Sequence, residues 1–193
     1  MKRTFLLFFA LGVVSCLGAM TRDSICLDRH EVRIGWGDMM FETAMYHPDH
    51  YTSDYRYTGH LFATYQYRFL PWLSAGGEVD YEQVWWHKPE GKANFYNLCF
   101  IPQVRFTYYW SKYLNLYSGL GVGLLVNGGS EINFRGQKTA CAPVIEITAL
   151  GIQVGDDHWF GTVEIGGLNA MSSLTDFYML ASRLFSASIG YRF

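Results

Sequence analysis

Arg183 to Phe193 reads RLFSASIGYRF. Phe185, Ala187, Ile189, Tyr191 and Phe193 share one face of an extended chain, and Ser186, Ser188, Gly190 and Arg192 share the other. Successive side chains of a strand point to opposite faces, so this alternation predicts a β-strand apolar on one side. A strand ending on an exposed aromatic needs a partner for its open edge. A membrane barrel supplies one, because its last strand pairs with its first and closes the sheet. The stretch predicts a closed transmembrane barrel.

The same alternation recurs seven times upstream. His30 to Gly37 sets Val32, Ile34 and Trp36 against Glu31, Arg33 and Gly35. Tyr57 to Phe69 sets Leu61, Ala63, Tyr65 and Tyr67 against His60, Thr64, Gln66 and Arg68. Leu73 to Trp86 sets Val79, Tyr81 and Trp85 against Glu78, Asp80 and Glu82. Asn94 to Trp110 places Tyr96, Phe100, Val104 and Phe106 opposite Asn97, Gln103, Arg105 and Thr107. Leu114 to Val126 alternates Leu and Val with Asn115, Tyr117, Gly119, Gly121 and Gly123. Cys141 to Val154 has Ile145 and Ile147 against Glu146 and Thr148, with weaker alternation from Leu150 onward. Trp159 to Leu168 has Val163 and Ile165 against Thr162 and Glu164. The fold class is all-β: an eight-stranded antiparallel transmembrane up-and-down barrel.

Composition agrees. Of 193 residues, 18% are aromatic and only 17% charged, against about 25% charged in ordinary globular chains. No stretch after the first twenty residues reaches the ~20 apolar positions of a spanning helix. The net charge of −2 leaves no electrostatic footprint for nucleic acid.

Residues 1–19 read as a signal peptide, with Lys2 and Arg3 before the apolar run Phe5 to Val14 and small residues at Ser15, Gly18 and Ala19. Val13-Val14-Ser15-Cys16 also fits a lipoprotein box, with Cys16 lipidated. Residues 20–29 are a short lead-in, and 30–193 form the barrel. Cys26, Cys99 and Cys141 have no zinc-site spacing and are expected as free thiols at packed positions.

Two observations set the apolar face toward lipid. It carries too much aromatic bulk for a narrow interior, and Gly119, Gly121 and Gly123 thin the opposite face. Trp36, Tyr57, Trp85 and Tyr96 gather at one set of strand ends. Phe69, Trp72, Tyr108, Trp110, Tyr113, Trp159, Tyr191 and Phe193 gather at the other, as two interfacial girdles. Connections at 70–72, 111–113 and 155–158 are tight, and those at 38–56, 87–93, 127–140 and 169–180 are longer. Short turns belong in the periplasm, so both termini are expected there.

The ending Gly190-Tyr191-Arg192-Phe193 resembles the terminal signature of bacterial outer-membrane β-barrels, in which a C-terminal aromatic is read by the assembly machinery. The chain after the signal segment is similar to the small eight-stranded barrels typified by outer-membrane proteins A and X. That resemblance implies an outer-membrane location and contact with lipid and lipopolysaccharide; the eight strands use up the chain, so no added periplasmic domain is expected.

The inward face is expected to hold Glu31, Arg33, His60, Arg68, Glu78, Asp80, Glu82, Arg105, Glu146, Glu164 and Arg192 as a polar network. Buried charges need partners, so a salt-bridged core is the simplest reading. A narrow ion path along Glu78, Asp80 and Glu82 is the channel alternative. A lipid A modifying enzyme is another. Lipid A deacylases resembling this architecture carry a His-x-Ser pair, whereas His60 is followed at the second place by Phe62 and His30 by Val32. His60 with Glu82 lacks a matched nucleophile, so the chain reads as no enzyme and as needing no cofactor. His47-Pro48-Asp49-His50 could bind a metal but matches no motif, and none is expected. The loop 38–56, rich in Met and aromatic residues, is a candidate surface for an extracellular partner. The expected function is a monomeric barrel with a filled polar interior and a structural or surface-interaction role.

Overall fold

The computed structural model describes residues 29–38, 54–88, 91–129, 139–170 and 182–193. The expected signal segment, Cys16, Cys26, the histidines of the first loop and most of the longer connections lie outside these residues. Eight strands follow in chain order: β1 (His30–Asp38), β2 (Asp54–Leu70), β3 (Leu73–Lys88), β4 (Gly91–Trp110), β5 (Leu114–Gly129), β6 (Thr139–Gly155), β7 (Trp159–Ala170) and β8 (Ser182–Arg192). Each pairs antiparallel with the next. β8 returns to β1 in a ladder from Glu31↔Arg192 to Asp38↔Phe185 and closes the barrel. Closure gives the backbone groups of every strand a neighbour on both sides, which hydrocarbon demands.

The alternation becomes an inside and an outside. Ile34 is 71% exposed, Ile189 61% and Val122 58%, all on the outer wall. Glu31, Arg33, Glu78, Asp80, Arg105 and Glu164 are buried inside. Inward aromatic rings find room over glycines. Phe62, Tyr117 and Phe160 lie beside their ladder partners Gly35, Gly151 and Gly190. A Cβ on any of these glycines would stand 2.2–2.3 Å from a ring atom. Glycine therefore serves here by having no side chain.

Several expectations need correction. The connection expected at 87–93 is shorter, because the β3–β4 ladder continues to Lys88↔Gly91. The weak alternation after Leu150 has a physical cause: β6 bulges between Thr148 and Leu150 and shifts its register. A second bulge between Thr107 and Tyr109 sends Tyr109 outward and leaves Trp110 half-buried. Trp110 therefore leans over the barrel mouth under Arg68, instead of joining the outer girdle. Cys99 is buried as expected, but Cys141 is exposed and not packed.

Candidate functional site: the charged lumen

The inner wall holds charge in two layers. The layer nearer the tight turns is organised by Glu31 on β1. Its Oε1 accepts from Arg105 Nη1 at 2.6 Å, with Arg33 Nε at 3.8 Å. Its Oε2 accepts from Gln153 Nε2 at 3.2 Å and Arg192 Nε at 3.5 Å, with Arg68 Nη2 at 4.0 Å. These partners come from β1, β2, β4, β6 and β8. Two residues further along β1, Arg33 Nη1 donates to Glu164 at 2.7 Å and to Tyr117 Oη at 3.0 Å. Tyr117 in turn donates to Glu164. Arg68 stacks on Trp110 at 3.9 Å and covers the mouth.

The second layer is organised by Arg183. Its Nη1 donates to Asp80 at 2.7 Å and its Nη2 to Glu146 at 2.6 Å. Glu78 Oε1 lies 2.8 Å from the same Nη2. His60 Nδ1 meets Asp80 at 2.7 Å, and His60 Nε2 lies 3.7 Å from Glu82. Glu82 accepts from Asn97 at 2.7 Å, and Asn97 from Asn127 at 2.7 Å. Hydrogen bonds thus link Asn127 to Asn97 and Glu82 at the long-loop end, and His60 to Asp80 and Arg183 nearer the centre.

Arg183 is the residue that alternation misses. It shares the odd numbering of Phe185, Ala187 and Ile189, yet it is 3% exposed. Two features turn it inward. The β7–β8 register slips between Ile165 and Leu168. Gly37 offers no side chain where the arginine stem crosses, since a Cβ there would stand 2.5 Å from Arg183 Cδ. The other expected lumen residues, from Arg33 to Arg192, all lie on the inner wall. His60 falls beside Asp80 more closely than beside Glu82, and at 1% exposure it is closed to a bulky substrate.

The interior is not polar throughout. Cys99, Ile101, Leu125, Ala142, Val144 and Leu168 form a buried apolar cluster on the β4–β7 wall beside the Arg183 layer, with Cys99 the ladder partner of Asp80, Ile101 of Glu78 and Leu168 of Arg183. Among the described residues, no group of three or more His, Cys, Asp or Glu side chains is placed to hold a metal ion.

No family model matches the chain, and no characterised protein matches it by sequence. Solved structures do. Ail, the attachment invasion locus protein of Yersinia pestis, crystallised with the heparin analogue sucrose octasulfate, aligns over 86% of this chain and 99% of its own, with a TM-score of 0.52 and 15% identity. The N-terminal β-barrel domain of Pseudomonas aeruginosa OprF aligns over 86% and 98%, at a TM-score of 0.46 and 12% identity. The Pseudomonas aeruginosa outer membrane protein OprG aligns over 86% and 97%, at 0.45 and 13%. The closed eight-stranded barrel described above has the fold of the small outer-membrane barrels.

Proposed function

We propose that this chain is an outer-membrane barrel with a closed interior, set with both termini in the periplasm and its longer connections outside. Its role is structural or surface-interacting, and the segment 38–56 is the candidate contact for an extracellular partner. The barrel assembly machinery reads the closing strand through Gly190, Tyr191 and Phe193, and lipid and lipopolysaccharide meet the outer wall. The observation that carries the closed interior is the pair of charge layers. Glu31 and Arg183 each tie together groups from strands on opposite sides of the lumen. An eight-stranded barrel has an interior just wide enough for side chains, and these fill it.

Single-channel recording in planar bilayers tests this reading. The refolded chain is expected to give no steady conductance. A sustained conducting state would overturn the closed interior and favour a small channel. Replacing residues 39–55 by a short turn then tests the surface role: unchanged binding of cells to host surfaces would remove it.

A further inference from the structure

Six carboxylates are buried on the inner wall among the described residues. Four guanidiniums are buried with them, and Arg68 at the mouth makes a fifth. Counted over both layers together, this interior is one positive charge short. Among the described residues, His60 is the remaining buried side chain that can supply it.

Both ring nitrogens of His60 face carboxylate oxygens. Nδ1 stands 2.7 Å from Asp80 Oδ1, and Nε2 stands 3.7 Å from Glu82 Oε1. A neutral imidazole has one N–H and one lone pair. With its N–H on Asp80, a neutral ring would turn that lone pair toward Glu82 Oε1, at 1% exposure. A water cannot come between them. Two hydrogen bonds through one water oxygen hold their ends about 4.5 Å apart or more, and the gap here is 3.7 Å. A proton placed on Glu82 instead would have to hydrogen-bond Nε2, and 3.7 Å is too long for that. An ion pair does reach this far. The doubly protonated ring has a donor on each side and a charge that both carboxylates attract.

The ring also stands where two networks meet. Asp80 gives its other oxygen to Arg183 Nη1 at 2.7 Å. Glu82 gives its other oxygen to Asn97, which accepts from Asn127. The neighbouring elements add little positive charge. β1 brings Gly37 as the ladder partner of His60, and Asp38 adds a carboxylate near Glu82. β4 brings the Cys99 thiol beside Asp80. β8 brings Arg183, whose charge is already shared among Asp80, Glu78 and Glu146.

We propose that His60 is an imidazolium in the folded barrel and that its proton is a latch. While the proton is held, the ring ties Glu82 and the two asparagines to the Arg183 layer. Its loss in alkali releases them, and the interior loosens at the long-loop end. This rests on the closed interior proposed above and adds the condition under which that end opens.

Nitrogen-15 NMR tests it, on the full chain refolded in lipid nanodiscs with labelled histidine and asparagine side chains. At neutral pH the His60 ring is expected to carry an N–H on both nitrogens, a pattern that His60→Gln removes. On titration into alkali, the Asn97 and Asn127 amide signals are expected to shift as the ring loses its second N–H. In His60→Gln they are expected to stay in place. A His60 ring with a single N–H at neutral pH overturns the proposal. So does a ring that keeps both N–H groups up to the alkaline limit of the folded barrel, and so do amides that stay still while the ring deprotonates. If His60→Gln does not fold, Glu82→Gln decides, because it keeps an acceptor for Asn97 and removes the second carboxylate. Its His60 ring is expected to lose the proton earlier in the titration, and an unmoved titration overturns the latch. Conductance reports the closed interior separately. A steadily conducting chain with a doubly protonated ring supports the ring assignment and overturns the closed interior instead.

Discussion

Arg183 Nη1 and Asp80 Oδ2 stand 2.7 Å apart across the lumen, joining β8 to β3, two strands that share no ladder. The same guanidinium holds Glu146 on β6 and lies beside Glu78. Its plane also rests 4.4 Å above the Phe62 ring. One cation thus answers three buried carboxylates. Removing it leaves them without compensation, a change that typically costs about 3–5 kcal/mol. Arg183→Met is expected to lower folding stability by that order in urea titrations. Adding Glu146→Gln and Asp80→Asn should recover part of the loss, because fewer uncompensated charges then remain. Full stability in Arg183→Met alone would show that the layer does not hold the barrel together.

The strand count and the two faces were legible because a membrane barrel enforces a period of two on nearly every strand. Glu31, Arg33, Glu78, Asp80 and Glu164 follow that period, so their inward placement could be read directly. Arg183 and Trp110 could not, because each lies beyond a register shift that a sequence pattern does not display. A charge count carried a hint of Arg183. The six expected inward acids outnumber the four expected arginines, Arg33, Arg68, Arg105 and Arg192. A buried surplus of negative charge asks for another cation, and Arg183 is the only arginine left on the closing strand. The inner apolar cluster was hidden for a different reason. Ile101, Leu125 and Val144 are hydrophobic on both counts, so composition cannot say which wall they line.

Tyr117 and Gly151 make a second test of the packed interior. The tyrosine ring occupies the space where a Gly151 side chain would begin, with its Cζ 2.2 Å from that Cβ position. Gly151→Ala must therefore displace the ring and its hydrogen bond to Glu164. Overpacking of this kind costs about 1–3 kcal/mol. The same substitution in a Tyr117→Ser background is expected to cost much less, since neighbouring sites couple through shared space. Equal costs in the two backgrounds would place the ring elsewhere.

The outer wall is tested by depth. Val122 is 58% exposed in the middle of β5, and Tyr113 is 61% exposed at the tight-turn end before it. An arginine at bilayer mid-depth costs about 2–4 kcal/mol, falling to about 0–1 near the interface. Val122→Arg should therefore destabilise the barrel in lipid vesicles by the larger amount and Tyr113→Arg by the smaller. Equal effects at the two positions would contradict the assignment of the apolar band to lipid.

The turn between β6 and β7 carries a pH dependence that can be read from its geometry. The Asp156 carboxylate accepts the backbone N–H of His158 at 2.8 Å and of Trp159 at 2.6 Å. These two bonds favour the ionised form and hold the Asp156 pKa below the usual carboxylate range. The turn matters to closure, because Arg192 Nη1 donates to the Asp156 carbonyl at 3.3 Å and Trp159 packs edge-on against Tyr191. A depressed native pKa means that the unfolded chain takes up the proton first. The stabilisation from this carboxylate is complete above the unfolded value, about 3.9, and is lost as pH falls through the lower native value. Asp156→Ala is therefore expected to be less stable than the native chain at neutral pH. The difference should shrink on acidification, once the native carboxylate is itself protonated. Asp156→Asn keeps one acceptor oxygen and should show a smaller loss with no titration. Urea midpoints of the three proteins between about pH 7 and about pH 3 decide, in the range where unfolded Asp titrates. A gap between native and Asp156→Ala that widens toward acid would mean the carboxylate does not cap this turn.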